Sequence, residues 1–339
     1  MPGSIEAKGK QNISVNCELN TSCNASTAGF ATNVRPSAHI CPGVLTALAS
    51  GASVGSTEPP TRPPMYNIPM PYNRVSKKPE GQPTRGKTAS NRLRRVDNFI
   101  LLYEPSLLTR TDGLFARSLF IDLGYGFDAR TTLESAARLR QVNPDLPILG
   151  VEIEKDRVEA ALPHADEKTF FRLGGFNLPL QEGEHVRLIR AFNVLRQYEE
   201  TDFAPAYERL AQYMLPGGLM IEGTSTPYGQ IWTANVVRRL EAGDWRFEAL
   251  VFSTNFRLGF EITDFQTVLP KNLIHHVVPG KPIYDFFEAW KGAAAEASAM
   301  KTYGLRQWFI HAAESLAQKG YKINLQKKFL ARGYLIWEL

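Results

Sequence analysis

Residues 120–132, with the sequence FIDLGYGFDARTT, contain acids and glycines at a spacing that suits ligand binding. An apolar run leads into Asp122, and Gly124 and Gly126 follow, one residue apart. Because glycine has no side chain, it lets the backbone approach a ligand closely and adopt positive φ angles. A second acid, Asp128, and helix-forming sequence come next. The pattern predicts a ligand-binding turn between a strand and a helix.

Two classes of ligand fit this turn. Residues 124–129 match the dinucleotide pattern G-x-G-x-x-G/A, with Ala129 last, which indicates a nicotinamide or flavin cofactor. Phosphates at such a turn approach the helix N-terminus, where the charges of Asp122 and Asp128 would repel them. A ligand with a cationic amine or sulfonium group would gain from those charges. The acids therefore favour S-adenosylmethionine, and NAD(P) is the alternative.

The elements around the turn predict the fold class. Apolar runs alternate with polar helical segments from about residue 110 to about residue 280. The predicted strands are SLFIDLG, PILGVEI, TFFRLGG, HVRLIRAFNVL and GGLMIEGT, and the predicted helices include TTLESAARLRQV, KDRVEAAL and FAPAYERLAQYM. Apolar runs with little alternation, each followed by a helix, are typical of a parallel sheet covered on both faces. We expect an α/β fold with a doubly wound, mostly parallel, Rossmann-like sheet.

Composition divides the chain into three parts. Residues 1–88 are rich in Ser, Thr, Asn, Pro and Gly and lack periodicity, which predicts a disordered tail. Met65 and Met70 are alternative start sites within it. Residues 89–280 are the expected cofactor-binding domain. Residues 281–339 are expected to form helices and a terminal hairpin that pack on the same domain.

Charge and cysteine content exclude several classes of protein. The formal net charge is +5, and the first 90 residues hold nine Lys or Arg against four Asp or Glu, so the remainder is close to neutral. A broad nucleic-acid-binding face is therefore not implied. Cys17, Cys23 and Cys41 form no CxxC pattern, which favours a reduced compartment over a disulfide framework or zinc site. No apolar run has the length of a membrane span, so we expect a cytoplasmic protein without a metal.

Five motifs carry a resemblance to a known family. FIDLGYGFD resembles the first motif of the Rossmann-like (class I) S-adenosylmethionine-dependent methyltransferases, an apolar strand followed by D-x-G-x-G. ILGVEIEKDRVEAA, FFRLGGFNLPL and RAFNVLRQYEE are similar to the second, third and fourth motifs, and LPGGLMIEGT to the hairpin before strand five. The motifs keep the family's order, and residues 85–339 are similar to uncharacterised bacterial methyltransferases. The resemblance implies a methyltransferase with S-adenosyl-L-methionine as cofactor.

The resemblance also implies a cofactor site. Its residues would be Asp122, Gly124, Gly126, Glu152, Gly175, Phe176 and Asn193. Asp122 would contact the amino-acid end of the cofactor, directly or through water, and the two glycines of the turn would form a backbone cradle. Glu152 would accept both ribose hydroxyls, a task that suits two carboxylate oxygens. Gly175 and Phe176 would border the adenine, and Asn193 would face the methionine moiety.

The sequence departs from the family pattern in three places. Asp128 replaces the third glycine of the first motif. Glu152 lies 30 residues after Asp122, which implies a long first helix, and Glu154 is a competing ribose ligand. The third motif often ends in an acid that binds the adenine amine, whereas this chain offers only Asn177.

A catalytic base is needed only if the acceptor must lose a proton, because methyl transfer mainly requires that the two reactants be positioned. Candidates near predicted strand ends are Tyr198, Glu199, Glu222, His275 and His276. The segment LPKNLIHHVVPG is interpreted as a strand, where adjacent residues point to opposite faces, so at most one of the two histidines would reach the site.

The acceptor is left open between a small molecule, RNA and a protein. Arg92, Arg94 and Arg95 lie at the start of a predicted helix capped by Ser90, where they could bind RNA or phosphate or form a solvated face. The body of the chain has no N-P-P-Y-type tetrad and no cysteine, which disfavours methylation of DNA amines and of cytosine C5. A non-catalytic module that binds the cofactor is a further hypothesis.

Overall fold

The computed structural model describes residues 78–241 and 243–339. Most of the predicted tail, with the three cysteines and both alternative start sites, lies outside the described residues. Residues 78–88 were assigned to the tail, but the structure describes them packed against the rest of the chain. The described part therefore begins eleven residues before the domain boundary expected at residue 89.

The described residues form an eight-stranded sheet. Its strands are β1 (Leu119–Leu123), β2 (Ile148–Glu152), β3 (Thr169–Leu173), β4 (Val186–Phe192), β5 (Met214–Ser225), β6 (Ile231–Arg239), β7 (Trp245–Thr254) and β8 (Tyr334–Glu338). Their spatial order is β3-β2-β1-β4-β5-β6-β7-β8. The strands from β3 to β5 in this order pair in parallel, and β6, β7 and β8 are each antiparallel to the strand before them. The predicted doubly wound, mostly parallel sheet is confirmed.

Helices cover the sheet. They are α1 (Arg94–Tyr103), α2 (Pro105–Thr109), α3 (Arg130–Leu139), α4 (Lys155–Ala161), α5 (Phe203–Ala211), α6 (Ile262–Gln266), α7 (Lys271–Ile274), α8 (Pro282–Glu296), α9 (Leu305–Gln318) and α10 (Lys327–Leu330). Every residue of β1, β2 and β4 is buried, which explains why most of their side chains are apolar and why they show no regular alternation.

Three large apolar clusters hold the layers together. Phe99 on α1 packs with Phe120 of β1 on one face of the sheet, and Tyr207 on α5 packs with Met220 of β5 in a second cluster. A third cluster joins α8 and α9 to β7, where the Phe286 ring stacks on Phe252 at 5.2 Å between centroids. Burying such aromatic side chains stabilises each layer by roughly 1.5–3 kcal/mol per residue.

The antiparallel part of the sheet was not predicted beyond the terminal hairpin. The segments IWTANVVRR and WRFEALVFST form β6 and β7. The terminal hairpin is present in reduced form: Asn324 N–H donates to Ile336 O at 3.0 Å, and Glu338 N–H donates to Lys322 O at 2.9 Å. Its second strand, β8, pairs with β7 and thereby joins the main sheet.

Candidate functional site

A cavity of about 850 Å³ opens at the carboxyl ends of β1 and β4. These two strands are neighbours, and the chain leaves them in opposite directions, so their ends form the crevice in which doubly wound sheets bind ligands. Gly124 and Gly126 border the cavity after β1, and Asn193 borders it after β4. The volume lies within the range of about 300–1,000 Å³ that is common for small-molecule sites.

The glycine turn has the predicted conformation. Gly124 has a φ of 71° and Gly126 a φ of 96°, values that disfavour any side chain. The Gly126 N–H donates to Oε2 of Glu152 at 2.9 Å, which ties the turn to the end of β2. A Cβ atom on Gly126 would lie 2.4 Å from the carbonyl oxygen of Gly86, so this glycine also permits a close backbone contact.

Asp122 lies in β1 and is engaged inside the protein. Its Oδ2 atom accepts hydrogen bonds from the hydroxyls of Thr131 at 2.9 Å and Thr132 at 2.8 Å, both in the first turn of α3. The Arg190 side chain on β4 is fully buried and pairs with the same carboxylate at 2.8 Å. Only 2% of Asp122 is exposed, although it contributes to the cavity wall.

Arg190 is the centre of a buried ion network. It pairs with Asp97 on α1 as well as with Asp122. Asp97 also accepts hydrogen bonds from Ser135 at 3.0 Å and pairs with Arg138 at 2.7 Å. The two acids are thus matched by two arginines. Our preference for a cationic ligand assumed that the charge of Asp122 faces the ligand, whereas Arg190 offsets that charge.

The N-terminal segment of the described chain, residues 78–88, lies across the ends of β2 and β3; we call it the strap. Phe176 N–H donates to Glu80 O at 2.8 Å, and Glu80 N–H donates to Oδ1 of Asn177 at 2.7 Å. Asn177 in turn donates to Lys78 O at 3.0 Å. Asn177, the residue found where an adenine-binding acid was expected, therefore holds the strap.

Further contacts continue along the strap. The Tyr198 hydroxyl bonds the backbone of Gln82, and Gln197 donates to the carbonyls of Gln82 at 3.0 Å and Pro83 at 2.8 Å. Arg157 on α4 donates to the carbonyl of Thr84 at 2.9 Å. Side chains from the turn after β4 and from α4 thus hold the strap in place at successive residues.

The strap fills most of the space beside Glu152. The remaining cleft, bordered by Glu152, Gly175 and Phe176, has a volume of only about 20 Å³. A Cβ atom on Gly175 would lie 1.9 Å from the carbonyl oxygen of Glu80. The cleft therefore has room for about one water molecule.

The Glu152 carboxylate is buried and satisfied. Its oxygens accept hydrogen bonds from the N–H groups of Gly126 and Ile153, each at 2.9 Å, and Arg157 lies 3.4 Å away. Burial raises the pKa of Glu152, and the two N–H donors and Arg157 oppose that shift. Glu154, the competing ribose ligand, is more exposed and pairs with Arg157 at 2.7 Å.

The predicted cofactor residues therefore fall into two sets. The cavity is bordered by Asp122, Gly124, Gly126 and Asn193, and the cleft by Gly124, Glu152, Gly175 and Phe176. Gly124 belongs to both sets and joins the two spaces.

Asn193 is held at the end of β5. Its φ is 60°, and its Oδ1 accepts a hydrogen bond from Ser225 N–H at 3.1 Å. Its backbone N–H donates to Gly223 O at 2.7 Å. The side chain thus stabilises the junction of β4 and β5 while bordering the cavity.

None of the five candidate bases lies on the cavity wall that the described residues form. Tyr198 bonds the strap, and Glu199 forms a capping box with Asp202. Glu222 lies on the opposite face of β5, where it accepts a hydrogen bond from Tyr207 at 2.8 Å, and burial raises its pKa to about 7.

The two histidines were placed on a strand, and this prediction was wrong. His275 follows α7 directly, because the segment KNLI forms a short helix after Pro270. His276 lies in the loop beyond and its ring lies 2.6 Å from Glu200, while the His275 ring lies 3.3 Å from Lys271 Nζ.

The three arginines at the start of α1 and just before it do not share one surface. Arg92 reaches the end of β5 and borders the cavity. Arg95 points elsewhere, donating to Ser253 Oγ at 2.8 Å and covering the Tyr334 ring at 4.6 Å. Arg94 is exposed. The expected Ser90 cap is absent from α1, which begins after Leu93 without a side-chain cap.

Sequence reasoning missed three cations of the cavity wall, Arg85, Lys87 and Arg196. The first two lie on the strap, which was assigned to the tail, and Arg196 follows the fourth motif. Their positive charge was the only sequence feature that could have marked them as binding residues, and the sequence does not show that they border the same cavity.

Residues 78–241 and 243–339 contain no group of three or more His, Cys, Asp or Glu side chains arranged to hold a metal ion. In the same residues, no helix has the length and apolar character to cross a membrane.

The chain matches no protein-family model and no curated protein sequence. It is similar to several solved structures. One is the CcbJ methyltransferase from Streptomyces caelestis, with 14% identity, a TM-score of 0.30, and coverage of 49% of this chain and 73% of that one. Another is the N-methyltransferase NodS from Bradyrhizobium japonicum, with 17% identity, a TM-score of 0.28, and coverage of 40% and 70%.

Human N-acetylserotonin methyltransferase, solved in complex with SAM, has 24% identity and a TM-score of 0.26, with coverage of 39% of this chain and 36% of that one. These three solved structures are all of methyltransferases, the class of protein that the sequence resemblance indicates. The chain spans only 41% of the O-methyltransferase domain of StiE and 28% of a structure described as a pericyclic reaction enzyme. At these scores the similarities carry no inference about activity, which must come from the site.

Proposed function

We propose that this protein is an S-adenosylmethionine-dependent methyltransferase that binds its cofactor at the glycine turn and its methyl acceptor in the cavity. The observation that supports this most is the topology around the turn. The strands β1, β2 and β3, connected through α3 and α4, form one complete mononucleotide-binding half, whereas β5 is followed by the antiparallel β6. A dinucleotide fold contains two such halves. A cofactor with a single nucleoside suits the one half that is complete.

The NAD(P)-dependent oxidoreductase is the alternative, and one observation favours it. Because Arg190 offsets the charge of Asp122, this acid does not repel phosphates as strongly as the sequence suggested. The alternative therefore has to be separated from the methyltransferase by ligand binding.

The two ends of the cofactor differ in how well the structure fits them. The cavity and the backbone of Gly124 and Gly126 fit the amino-acid end. At the adenosine end, the strap lies against Glu152, Gly175 and Phe176, the residues that the resemblance implies for the ribose and the adenine. Binding there requires the strap to leave the cleft.

The cofactor, when bound, supplies an electrophilic methyl group on sulfur. Methyl transfer would join that carbon to a lone pair of the acceptor and would leave the electrons of the carbon–sulfur bond on sulfur. The described cavity wall contains no histidine, and its only carboxylate, Asp122, is held by Arg190. The chain therefore positions the acceptor and excludes water, and an acceptor whose reacting atom already has a free lone pair fits best.

Isothermal titration calorimetry with S-adenosylmethionine, S-adenosylhomocysteine and NADH tests the cofactor class. We expect both sulfur ligands to bind and NADH not to bind. Gly126→Ala should weaken binding of both sulfur ligands, because Gly126 has a φ of 96°, and an alanine there would change the backbone conformation of the turn that holds the cofactor. Gly183→Ala is the matched control, since Gly183 has a φ of 80° but no atom within 4 Å of the added Cβ.

Transfer of a labelled methyl group from the cofactor to a cell-extract fraction would separate an enzyme from a non-catalytic module that binds the cofactor. Binding of NADH alone would replace the proposed function by the alternative. Cofactor binding without transfer to any fraction would favour the non-catalytic module.

A further inference from the structure

The cavity wall is strongly cationic. Four basic side chains border it, namely Arg85, Lys87, Arg92 and Arg196. No carboxylate in the described residues forms an ion pair with any of them. The single acid of the wall, Asp122, is already paired with Arg190. A cavity with this lining attracts anions.

Arg92 is fixed in place with donors to spare. Its Nε donates to Ser225 Oγ at 3.0 Å and to Thr226 O at 3.1 Å, and one terminal nitrogen donates to Ser225 O at 2.9 Å. The other terminal nitrogen has only a long contact of 3.5 Å with Lys87 O. Because a guanidinium has five N–H donors, at least two of them have no acceptor among the described residues. The bonds to Ser225 and Thr226 hold the guanidinium plane in one orientation.

Arg196 contributes a second guanidinium to the same cavity wall. It lies in the 3-10 turn Leu195–Gln197 that follows β4, and its side chain is exposed. Burial, and then the charge of Arg196, lower the pKa of Arg92. The two cations repel each other, and neither is paired with a carboxylate of the described residues. An anion that contacts both would relieve this repulsion, since arginine pairs with carboxylate and phosphate through parallel hydrogen bonds.

We propose that Arg92 and Arg196 form a subsite for a carboxylate or phosphate group of the methyl acceptor. The assignment to the acceptor rests on the proposed function, whereas the anion subsite itself does not. The subsite lies on the β4 and β5 side of the cavity, and the glycine turn lies on the β1 side. An anionic acceptor anchored there would share the cavity with the cofactor. Arg85 and Lys87 on the strap add positive charge to the same space.

Calorimetric titration of the full-length protein with inorganic phosphate, with and without saturating S-adenosylhomocysteine, tests the subsite. We expect phosphate to bind in both cases. Arg196→Gln should weaken phosphate binding about tenfold, the loss expected for one charge-assisted contact. This variant should fold, because the Arg196 side chain is exposed.

Arg94→Gln is the matched control, because Arg94 is exposed on α1 and does not border the cavity. Phosphate affinity should be unchanged in this variant. Arg92→Lys keeps the charge but loses the planar fork, so it should weaken phosphate binding while circular dichroism shows a folded protein. Equal phosphate affinity in Arg196→Gln, Arg92→Lys and the wild type would overturn the subsite.

Phosphate and S-adenosylhomocysteine also separate the possible sources of the anion. If phosphate competes with S-adenosylhomocysteine, the arginine pair serves the carboxylate of the cofactor, and the acceptor assignment is overturned. If S-adenosylhomocysteine binds and phosphate does not, the subsite is wrong and the proposed function stands. If phosphate binding depends on Arg196 but S-adenosylhomocysteine does not bind, the proposed function fails and the anion subsite stands.

Discussion

The carboxyl ends of β2 and β3 and those of β4 and β5 border two spaces that differ in almost every respect. At the β2 and β3 side the strap leaves a cleft of about 20 Å³. At the β4 and β5 side a cavity of about 850 Å³ stays open and is lined by cations. Both sides contain residues that the family motifs implicate. A binding motif thus determines the backbone conformation at the end of a strand. Whether a ligand can reach that backbone depends on a segment from elsewhere in the chain, here the strap.

The two sides are also held in different ways. The open side, which is the cavity at the ends of β4 and β5, is stabilised by the buried network of Arg190, Asp97 and Asp122. The closed side is held mainly by hydrogen bonds to the strap backbone, such as Phe176 N–H to Glu80 O. Loss of one member of a buried charge network strongly destabilises the folded protein, because it leaves another charge buried without a partner. Replacing the hydrogen bonds of the strap by contacts to a ligand costs less free energy than losing a member of that network.

The largest effect is expected on the open side, from Arg190→Met. The substitution leaves Asp97 and Asp122 without their shared partner, and removing one member of a buried ion pair costs about 3 to 5 kcal/mol. Urea unfolding followed by circular dichroism measures the loss. Arg94→Met, an exposed change on α1, should alter stability by no more than about 0.5 kcal/mol. A loss below 1 kcal/mol for Arg190→Met would mean that the network contributes little.

A pH-dependent effect is expected from Glu222, on the face of β5 away from the cavity. Burial raises its pKa from 4.5 to about 7, so the folded state holds a proton that the unfolded state releases. The resulting stabilisation, up to about 3 kcal/mol, is present below pH 4.5 and is lost as pH rises through about 7. The Glu222→Gln variant lacks this titration. Urea unfolding of both proteins between pH 5 and 8 measures the difference.

A constant stability difference between Glu222→Gln and the wild type over that pH range would contradict the predicted titration. The affinity for S-adenosylhomocysteine should be the same in both proteins, because Glu222 does not border the cavity.

The closed side can be opened by Gly81→Val. Gly81 has a φ of 133°, and a Cβ atom there would lie 2.7 Å from the Tyr198 hydroxyl, so the substitution should lift the strap. If the strap competes with the cofactor, the affinity for S-adenosylhomocysteine should rise about tenfold, because more of the protein is competent to bind. Calorimetry measures the affinity, and hydrogen exchange at the Phe176 N–H should accelerate.

Gly320→Val is the control for the strap variant. Gly320 has a φ of 95° and nothing within 4 Å of an added Cβ, so it introduces similar backbone strain far from the strap. An unchanged or weaker affinity in Gly81→Val would show that the strap does not compete with the cofactor.

The smallest effect is expected from Asn193→Gly. Glycine keeps the φ of 60° without strain, and the Asn193 amide is already bonded to Ser225. The affinity for S-adenosylhomocysteine should therefore fall by no more than about threefold, measured by calorimetry. Asn91→Gly, at an exposed position with a φ of 59°, is the control. A tenfold loss restricted to Asn193→Gly would identify a direct contact with the ligand.

The parallel half of the fold was predictable from local pattern. The runs SLFIDLG and PILGVEI form β1 and β2, because strands buried on both faces are mostly apolar and lack the alternation of a half-exposed strand. The strands β6 and β7 were missed, since their mixed sequences acquire an apolar face only by pairing with β5 and by packing under α8. The histidines after α7 were misplaced because a short apolar segment is compatible with either a strand or a helix.

The order of residues along the chain was enough to specify the glycine turn, the acid at the end of β2 and the alternation of strands and helices, since each depends on neighbours within a few residues. Which charges face a ligand depended on contacts across long separations. Arg190, 68 residues from Asp122, offsets that acid, and the strap, whose Glu80 lies 97 residues from Asn177, closes the cleft. Electrostatic and backbone contacts act through space, so only the packed chain brings such partners together.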